Sequence, residues 1–262
     1  MKKIKVSAVS YLNTKPFLYG IFKNKMEEEI DLQLDIPSAC AKKLQNGAVD
    51  LGLVPVAVIP ELEKPLIISD YCIGTVGAVK TVAIFSQCPI QEMTHIYLDY
   101  HSRTSVELAK ILLQEYWKTA PVVLSAEPGF EEKIEFTRGA LIIGDRTIGL
   151  EKKHPYIYDL GEAWMDFTGL PFVFAAWVSN RTLPRDFIQR FNAALKRGLD
   201  EIPQLTLLLP QPNPDFDLRH YFQHHISYHL DEPKKKALRL FLEIISGKSP
   251  SNTAQSLATM NE

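Results

Sequence analysis

The chain has 262 residues, 46% hydrophobic and 23% charged, with a formal net charge of -2. That is the composition of a folded globular protein with an ample core, and it excludes the basic field that nucleic acid or anionic lipid would require. The three cysteines, Cys40, Cys72 and Cys88, lie far apart without C-x-x-C spacing, which argues against a disulfide framework or a zinc site and for a reducing compartment.

In chain order, residues 4–9 read as a strand that runs into Ser10, Tyr11, Asn13 and Thr14. Residues 15–25 read as a helix with Pro16 in its first turn. Lys2, Lys3 and Lys5 could open a signal peptide, but Ser7, Ser10 and Asn13 interrupt any apolar h-region. No run approaches a membrane span, so the expectation is a cytoplasmic protein with no membrane contact. Strands follow at 31–36 and 49–54, with a short helix between them capped by Ser38 and ended by Gly47. A short helix through Pro60 and a strand at 66–69 complete a βαβαβ unit with a parallel sheet.

The apolar run 75–85 predicts a long strand leaving that unit. Strands at 95–99, 121–124 and 140–144 and a helix at 102–117 form a middle unit. The apolar run 172–178 leads back, followed by an amphipathic helix at 184–202 with Phe187, Phe191, Leu195 and Leu199 on one face. The expected architecture is therefore α/β, in two α/β domains with two chain crossings and a ligand cleft between them. Domain 1 is discontinuous (1–85 plus 175–246) and domain 2 covers 86–174. Residues 217–246 read as helical, and the polar residues 247–262 as a disordered tail.

Two strand-to-helix loops carry the chemistry. In the first, Ser10, Tyr11 and Asn13 precede a helix whose unpaired N–H groups favour an anion; an ordinary capped loop is the bland alternative. In the second, Ser102, Arg103, Thr104 and Ser105 gather at another helix start. There Arg103 could fork onto a carboxylate or only brace Asp99 or Asp145. Facing each other across the cleft, the loops suit a small ligand with two acidic groups. Asp145 could bind a ligand hydroxyl or cap the next helix. Thr168 and Gly169 precede a buried strand and suit a hinge or cleft rim. Phe172, Phe174 and Trp177 could line the cleft, although aromatics on a strand more often belong to the core. His220, His224, His225 and His229 fall at helical spacing, but without HE-x-x-H or a third ligand they do not predict a metal. No Walker A loop, G-x-G-x-x-G or G-x-S-x-G is present.

Taken together, residues 9–17 (VSYLNTKPF), 49–56 (VDLGLVPV), 70–79 (DYCIGTVGAV), 98–113 (LDYHSRTSVELAKILL), 141–145 (LIIGD) and 159–177 (DLGEAWMDFTGLPFVFAAW) resemble the chorismate dehydratase family of the futalosine route to menaquinone. The resemblance spans residues 4 to 200. It implies a type II periplasmic-binding-protein fold and a reaction that turns chorismate into 3-(1-carboxyvinyloxy)benzoate and water without a cofactor or metal. A sister family that makes 1,4-dihydroxy-6-naphthoate and a non-catalytic dicarboxylate-binding protein are the alternatives. Lys80 departs from the serine expected at its position.

For that reaction Ser102, Arg103, Thr104 and Ser105 are candidates for one carboxylate, and Ser10, Asn13 and Ser86 for the other carboxylate and the hydroxyl. Asn13 and Ser86 are the catalytic candidates, with Tyr11, Asp145, Thr168 and Gly169 as further binding residues. The base is either His101 or the substrate's own side-chain carboxylate oriented by Asn13, and the second is preferred because no ionised residue stands in the best-matched motif. The sequence leaves the oligomeric state open.

Overall fold

The computed structural model describes residues 3–247. The predicted tail, beyond Gly247, lies outside the described residues. β1 (Ile4–Val9) pairs in parallel with β2 (Ile30–Asp35) on one side and β3 (Leu51–Pro55) on the other. Parallel pairing needs crossovers, and α1 (Lys15–Lys23) and α2 (Pro37–Gln45) supply them. α2 starts on Pro37 and has no side-chain cap, so Ser38 is not the predicted N-cap. Proline fits a first helical position because its missing N–H would find no partner there. The Ser38 N–H donates instead to the carbonyl of His101 at 3.1 Å.

After a 3-10 turn at Val56–Glu61, β4 (Leu66–Thr75) runs well past residue 69. The predicted single strand over 75–85 is broken. Gly77 and Lys80 take φ of 78° and 69°, and the N–H groups of Val79 and Lys80 bond to the Asp159 carboxylate instead of a neighbouring strand. β5 (Val82–Ser86) then begins a second sheet with β6 (His95–Tyr97), β7 (Val122–Leu124), β8 (Arg138–Ile143) and β9 (Tyr156–Asp159). α3 (Arg103–Ile111) follows β6 and runs on into a π-helical turn at Leu112–Tyr116.

β9 and α4 (Leu160–Thr168) lie where the sequence reading predicts no element. A four-residue edge strand and a helix with glycine in its first turn give little periodic signal. The chain returns through β10 (Phe172–Ser179) to α5 (Arg185–Asp200) and α6 (Ile202–Leu208). The segment 217–246, read as helical, is not helical throughout. α7 (Leu218–His220) and a π-helical turn at Tyr221–His225 are followed by β11 (Ser227–His229) and only then by α8 (Glu232–Ile245). His229 therefore stands on a strand and cannot form a helical pair with His225.

The first sheet has the order β11-β4-β10-β3-β1-β2 and the second β7-β6-β8-β5-β9. β10 is antiparallel to β3 and β4 and buried along its whole length, which explains its uninterrupted apolar sequence. Strand pairing divides the chain earlier than the predicted boundaries. Val82–Phe85 pair with β8, whereas Phe172 and Val173 already pair with β4. Phe172 packs edge-to-face with Trp164 and Phe241, with centroids 5.2 and 5.1 Å apart. Among the described residues no helix is long and apolar enough to cross a membrane.

Candidate active site

A small cavity of about 50 Å³ lies between the two sheets. The carboxyl end of β3 and the segments that follow β1, β6 and β8 all reach it, with Pro55, Tyr11 and Asn13, Ser102, and Gly144 in its lining. Crevices at the carboxyl ends of parallel strands are where α/β sheets place ligands. Its volume is far below the roughly 300–1,000 Å³ of ligand pockets, so the lobes must part to admit a ring-sized molecule.

Contacts across the cleft hold the lobes together. The Tyr11 hydroxyl lies 2.6 Å from Nδ1 of His101, and the Leu12 N–H donates to Asp145 at 3.0 Å. The Ala57 N–H donates to the Thr104 hydroxyl at 3.1 Å. Behind Tyr11, Asp99 is fully buried and accepts from the N–H groups of His101 and Ile143 and from the Arg146 guanidinium. Arg146 also reaches Glu131, and its buried Nε has no partner among the described residues. Burial pushes the Asp99 carboxyl up, against the pull of the His101 N–H and Arg146. Burial, then the nearby Arg146 charge, push His101 down, against the pull of Asp99 and Glu131. Burial also raises Asp145, opposed by the Leu12 N–H and Lys15.

The structure brings together Tyr11, Asn13, Ser102 and Ser105 around the cavity. Ser102 is the N-cap of α3, accepting the Ser105 N–H at 3.1 Å, as its sequence position predicts. The Asn13 amide oxygen accepts from Thr14, and its carbonyl accepts the Tyr228 hydroxyl at 3.0 Å, which leaves the amide NH₂ for a ligand. Phe174 reaches the cavity lining, while Phe172 and Trp177 belong to the core.

Other predicted site residues lie elsewhere. Ser10 is exposed, outside the cavity lining. Ser86 is at the far end of β5 from the cavity, and its hydroxyl accepts the Cys88 N–H at 3.1 Å. Arg103 points outward, and both arms of its fork go to Glu61 at 2.8 and 2.6 Å. Thr104 is occupied by Ala57, and Asp145 by Leu12. Thr168 and Gly169 form the end of α4. The Thr168 hydroxyl donates to the Trp164 carbonyl, and Gly169 takes the left-handed C-cap at φ 70°.

The sequence reading misses the Asp99–Arg146 pair as site architecture and Thr81 and Gly144 as cavity lining. Gly144 has φ 68°, and a Cβ there would sit 2.8 Å from the Tyr11 ring. The G-D-R run after a buried strand was the available signal. Among the described residues no group of three His, Cys, Asp or Glu side chains is placed to hold a metal ion. A larger crevice of about 500 Å³ lies across the 76–81 segment and contains none of the predicted binding residues.

Two α/β lobes, two crossings and a cleft at the strand ends define a two-lobed protein of the periplasmic-binding-protein fold. Solved structures with this architecture include a protein of Archaeoglobus fulgidus (TM-score 0.70, 15% identity, covering 93% of this chain and 96% of that one). The ligand-binding component of an ABC-type import system from Staphylococcus aureus gives a TM-score of 0.61 at 13% identity, covering 94% and 91%. At such identities the likeness concerns the fold alone. In sequence, a family model described as menaquinone biosynthesis matches residues 4–246, and the chain belongs to that family. Chorismate dehydratase of Thermus thermophilus is 28% identical over 233 residues, covering 80% of this chain and 84% of the relative. Chorismate dehydratase of Campylobacter jejuni is 28% identical over 245 residues, covering 90% and 94%.

Proposed function

We propose that the protein is a chorismate dehydratase, a carbon–oxygen lyase that converts chorismate to 3-(1-carboxyvinyloxy)benzoate and water in menaquinone biosynthesis. The observation that carries this reading is the convergence of Asn13 from one lobe and Ser102 and Ser105 from the other on one small cavity, in a chain that the family model spans from residue 4 to 246. Three free, buried cysteines fit work in the reducing cytoplasm.

The reaction removes the proton on the ether-bearing ring carbon and the neighbouring hydroxyl, and the ring becomes aromatic. Only water leaves, so the step consumes no oxidant, reductant or group acceptor. Removing the proton spreads charge toward the ring carboxylate through the conjugated double bond. The Ser105 hydroxyl, which accepts from that of Ser102 at 3.1 Å, would donate to that charge and stabilise it more in the transition state than in the ground state. The Asn13 NH₂ would hold the side-chain carboxylate of the substrate against the departing proton, which makes that carboxylate the base. His101 serves less well as base, since it is not among the residues that line the cavity and its Nδ1 lies 2.6 Å from the Tyr11 hydroxyl. Arg103, Thr104 and Asp145 contribute by holding the lobes closed, which excludes water.

The test is incubation of the purified, chelator-treated protein with chorismate, followed by chromatography and mass spectrometry. The expected result is a product lighter by one water. Chorismate recovered unchanged would sink the reading and favour a binding protein on the same fold.

A further inference from the structure

Thr81 and Tyr221 join the crossing segment to the C-terminal part of the chain, with their hydroxyls 2.8 Å apart. Thr81 lines the cavity between the lobes, as do Asn13 and Ser105. Tyr221 opens the π-helical turn at Tyr221–His225, beyond the segments that carry the resemblance in sequence. With that cavity read as the substrate site of the proposed dehydratase, we propose that Tyr221 is a positioning residue, which aims the Thr81 hydroxyl as a donor to an oxygen of the substrate.

Each hydroxyl brings one hydrogen, and the pair shares one bond. Neither hydroxyl has another hydrogen-bond partner among the described residues. If Thr81 donates, the hydrogen of Tyr221 is left without an acceptor in a residue only 2% exposed, and an orphaned buried donor is costly. Tyr221 also borders the larger crevice, but no acceptor of that crevice bonds to its hydroxyl. If Tyr221 donates, the hydrogen left over belongs to Thr81, which borders the cavity. A phenol is also the stronger donor and the weaker acceptor of the two groups, which favours the second arrangement. Burial holds the Tyr221 hydroxyl well above its ordinary range, so it keeps the proton that it donates.

Both ends of the link are held in place. The Thr81 carbonyl accepts the Gly144 N–H at 2.8 Å, and the two residues before Thr81 donate to the Asp159 carboxylate. The freedom left to the Thr81 hydroxyl is rotation about its side-chain bonds, and the Tyr221 bond fixes it. The Tyr221 N–H donates to the Asp217 carbonyl at 2.9 Å, and the rings of Phe216 and Phe222 lie 5.2 and 5.6 Å from its own, centroid to centroid. A donor held this way meets the substrate already oriented, which is how a group outside the cavity contributes to the rate.

The test is a double-variant cycle on the full chain, read in kcat/KM for chorismate, or in Kd by titration calorimetry if chorismate is bound without being consumed. Thr81→Val should weaken that quantity by about tenfold or more. Tyr221→Phe should weaken it by about fivefold in the wild-type background and in Thr81→Ser, which keeps the hydroxyl, but by about twofold at most in Thr81→Val. Thr81→Ala, which leaves room for a water against Tyr221, gives the same comparison if Thr81→Val does not fold. An equal loss from Tyr221→Phe in both backgrounds would assign Tyr221 a structural role alone and overturn the proposal, as would no loss in the wild-type background. A wild type that binds chorismate without consuming it would sink the dehydratase reading, and the same pattern in Kd would still support the positioning role. A wild type that neither binds nor consumes chorismate would overturn both.

Discussion

The Tyr11 hydroxyl and His101 Nδ1, 2.6 Å apart, join the loop after β1 to the loop after β6, and the two rings lie within 13° of parallel. The pair thus spans the cleft directly beside the residues assigned to the substrate. A single such hydrogen bond contributes about 1 kcal/mol net, and that energy acts on closure rather than on folding of either lobe. Tyr11→Phe should therefore raise the KM for chorismate by about fivefold, with little change in melting temperature. Steady-state kinetics with a melting curve checks this. An unchanged KM would mean that the pair does not bias closure.

Gly144 supports the same ring. Its positive φ and the 2.8 Å approach to Tyr11 leave no room for a methyl group. Gly144→Ala should displace Tyr11 and the start of the Leu12 turn, and a misplacement of about 1 Å can cost about a hundredfold in rate. We expect turnover to fall by that order while the far-ultraviolet circular dichroism stays native.

The Asp99–Arg146 pair is structural support with a large penalty for breaking it. Asp99 is fully buried, so Arg146→Ala leaves a carboxylate with only backbone N–H partners. Losing one partner of a buried pair costs about 3–5 kcal/mol, and the partial exposure of Arg146 places this case at the lower end. Urea unfolding should show the loss, and the double variant Asp99→Asn, Arg146→Met should recover part of it.

His154 links stability to pH. It is buried, with Nδ1 3.0 Å from the Gln87 amide nitrogen, and burial, then the Lys153 charge, depress its pKa in the fold. A depressed folded pKa contributes stability that is present above the unfolded value near 6.5 and is lost as pH falls through the folded value. Wild-type stability should therefore drop more steeply than that of His154→Gln as pH is lowered below about 6.5. Parallel curves from urea unfolding across that range would contradict the assignment.

Much of the fold is legible in the sequence because long periodic or apolar runs mark β1, β3, β10 and α5, and Ser102 announces α3. Legibility fails where long-range contacts override local pattern. The run from Thr75 to Phe85 is mostly apolar, yet the Asp159 carboxylate captures its middle and bends it into a turn. The histidines at 220–229 have helical spacing, but pairing of β11 with β4 ends the helix. At the site, hydroxyls at loop ends were readable as polar, whereas their partners were not. Nothing near Arg103 in sequence announces Glu61, and nothing near Thr104 announces Ala57.

The measurement that tests the central claim most directly is chorismate turnover by Asn13→Ala beside Arg103→Ala. Asn13 lines the cavity with an amide NH₂ that has no hydrogen-bond partner among the described residues, while Arg103 makes an exposed pair with Glu61 that is worth about 1 kcal/mol or less. The account predicts a loss of about a hundredfold or more in kcat for Asn13→Ala and at most a few-fold change, mainly in KM, for Arg103→Ala. Near-wild-type kcat in Asn13→Ala, or a larger loss in Arg103→Ala, would contradict the placement of the reaction in the cavity between the lobes.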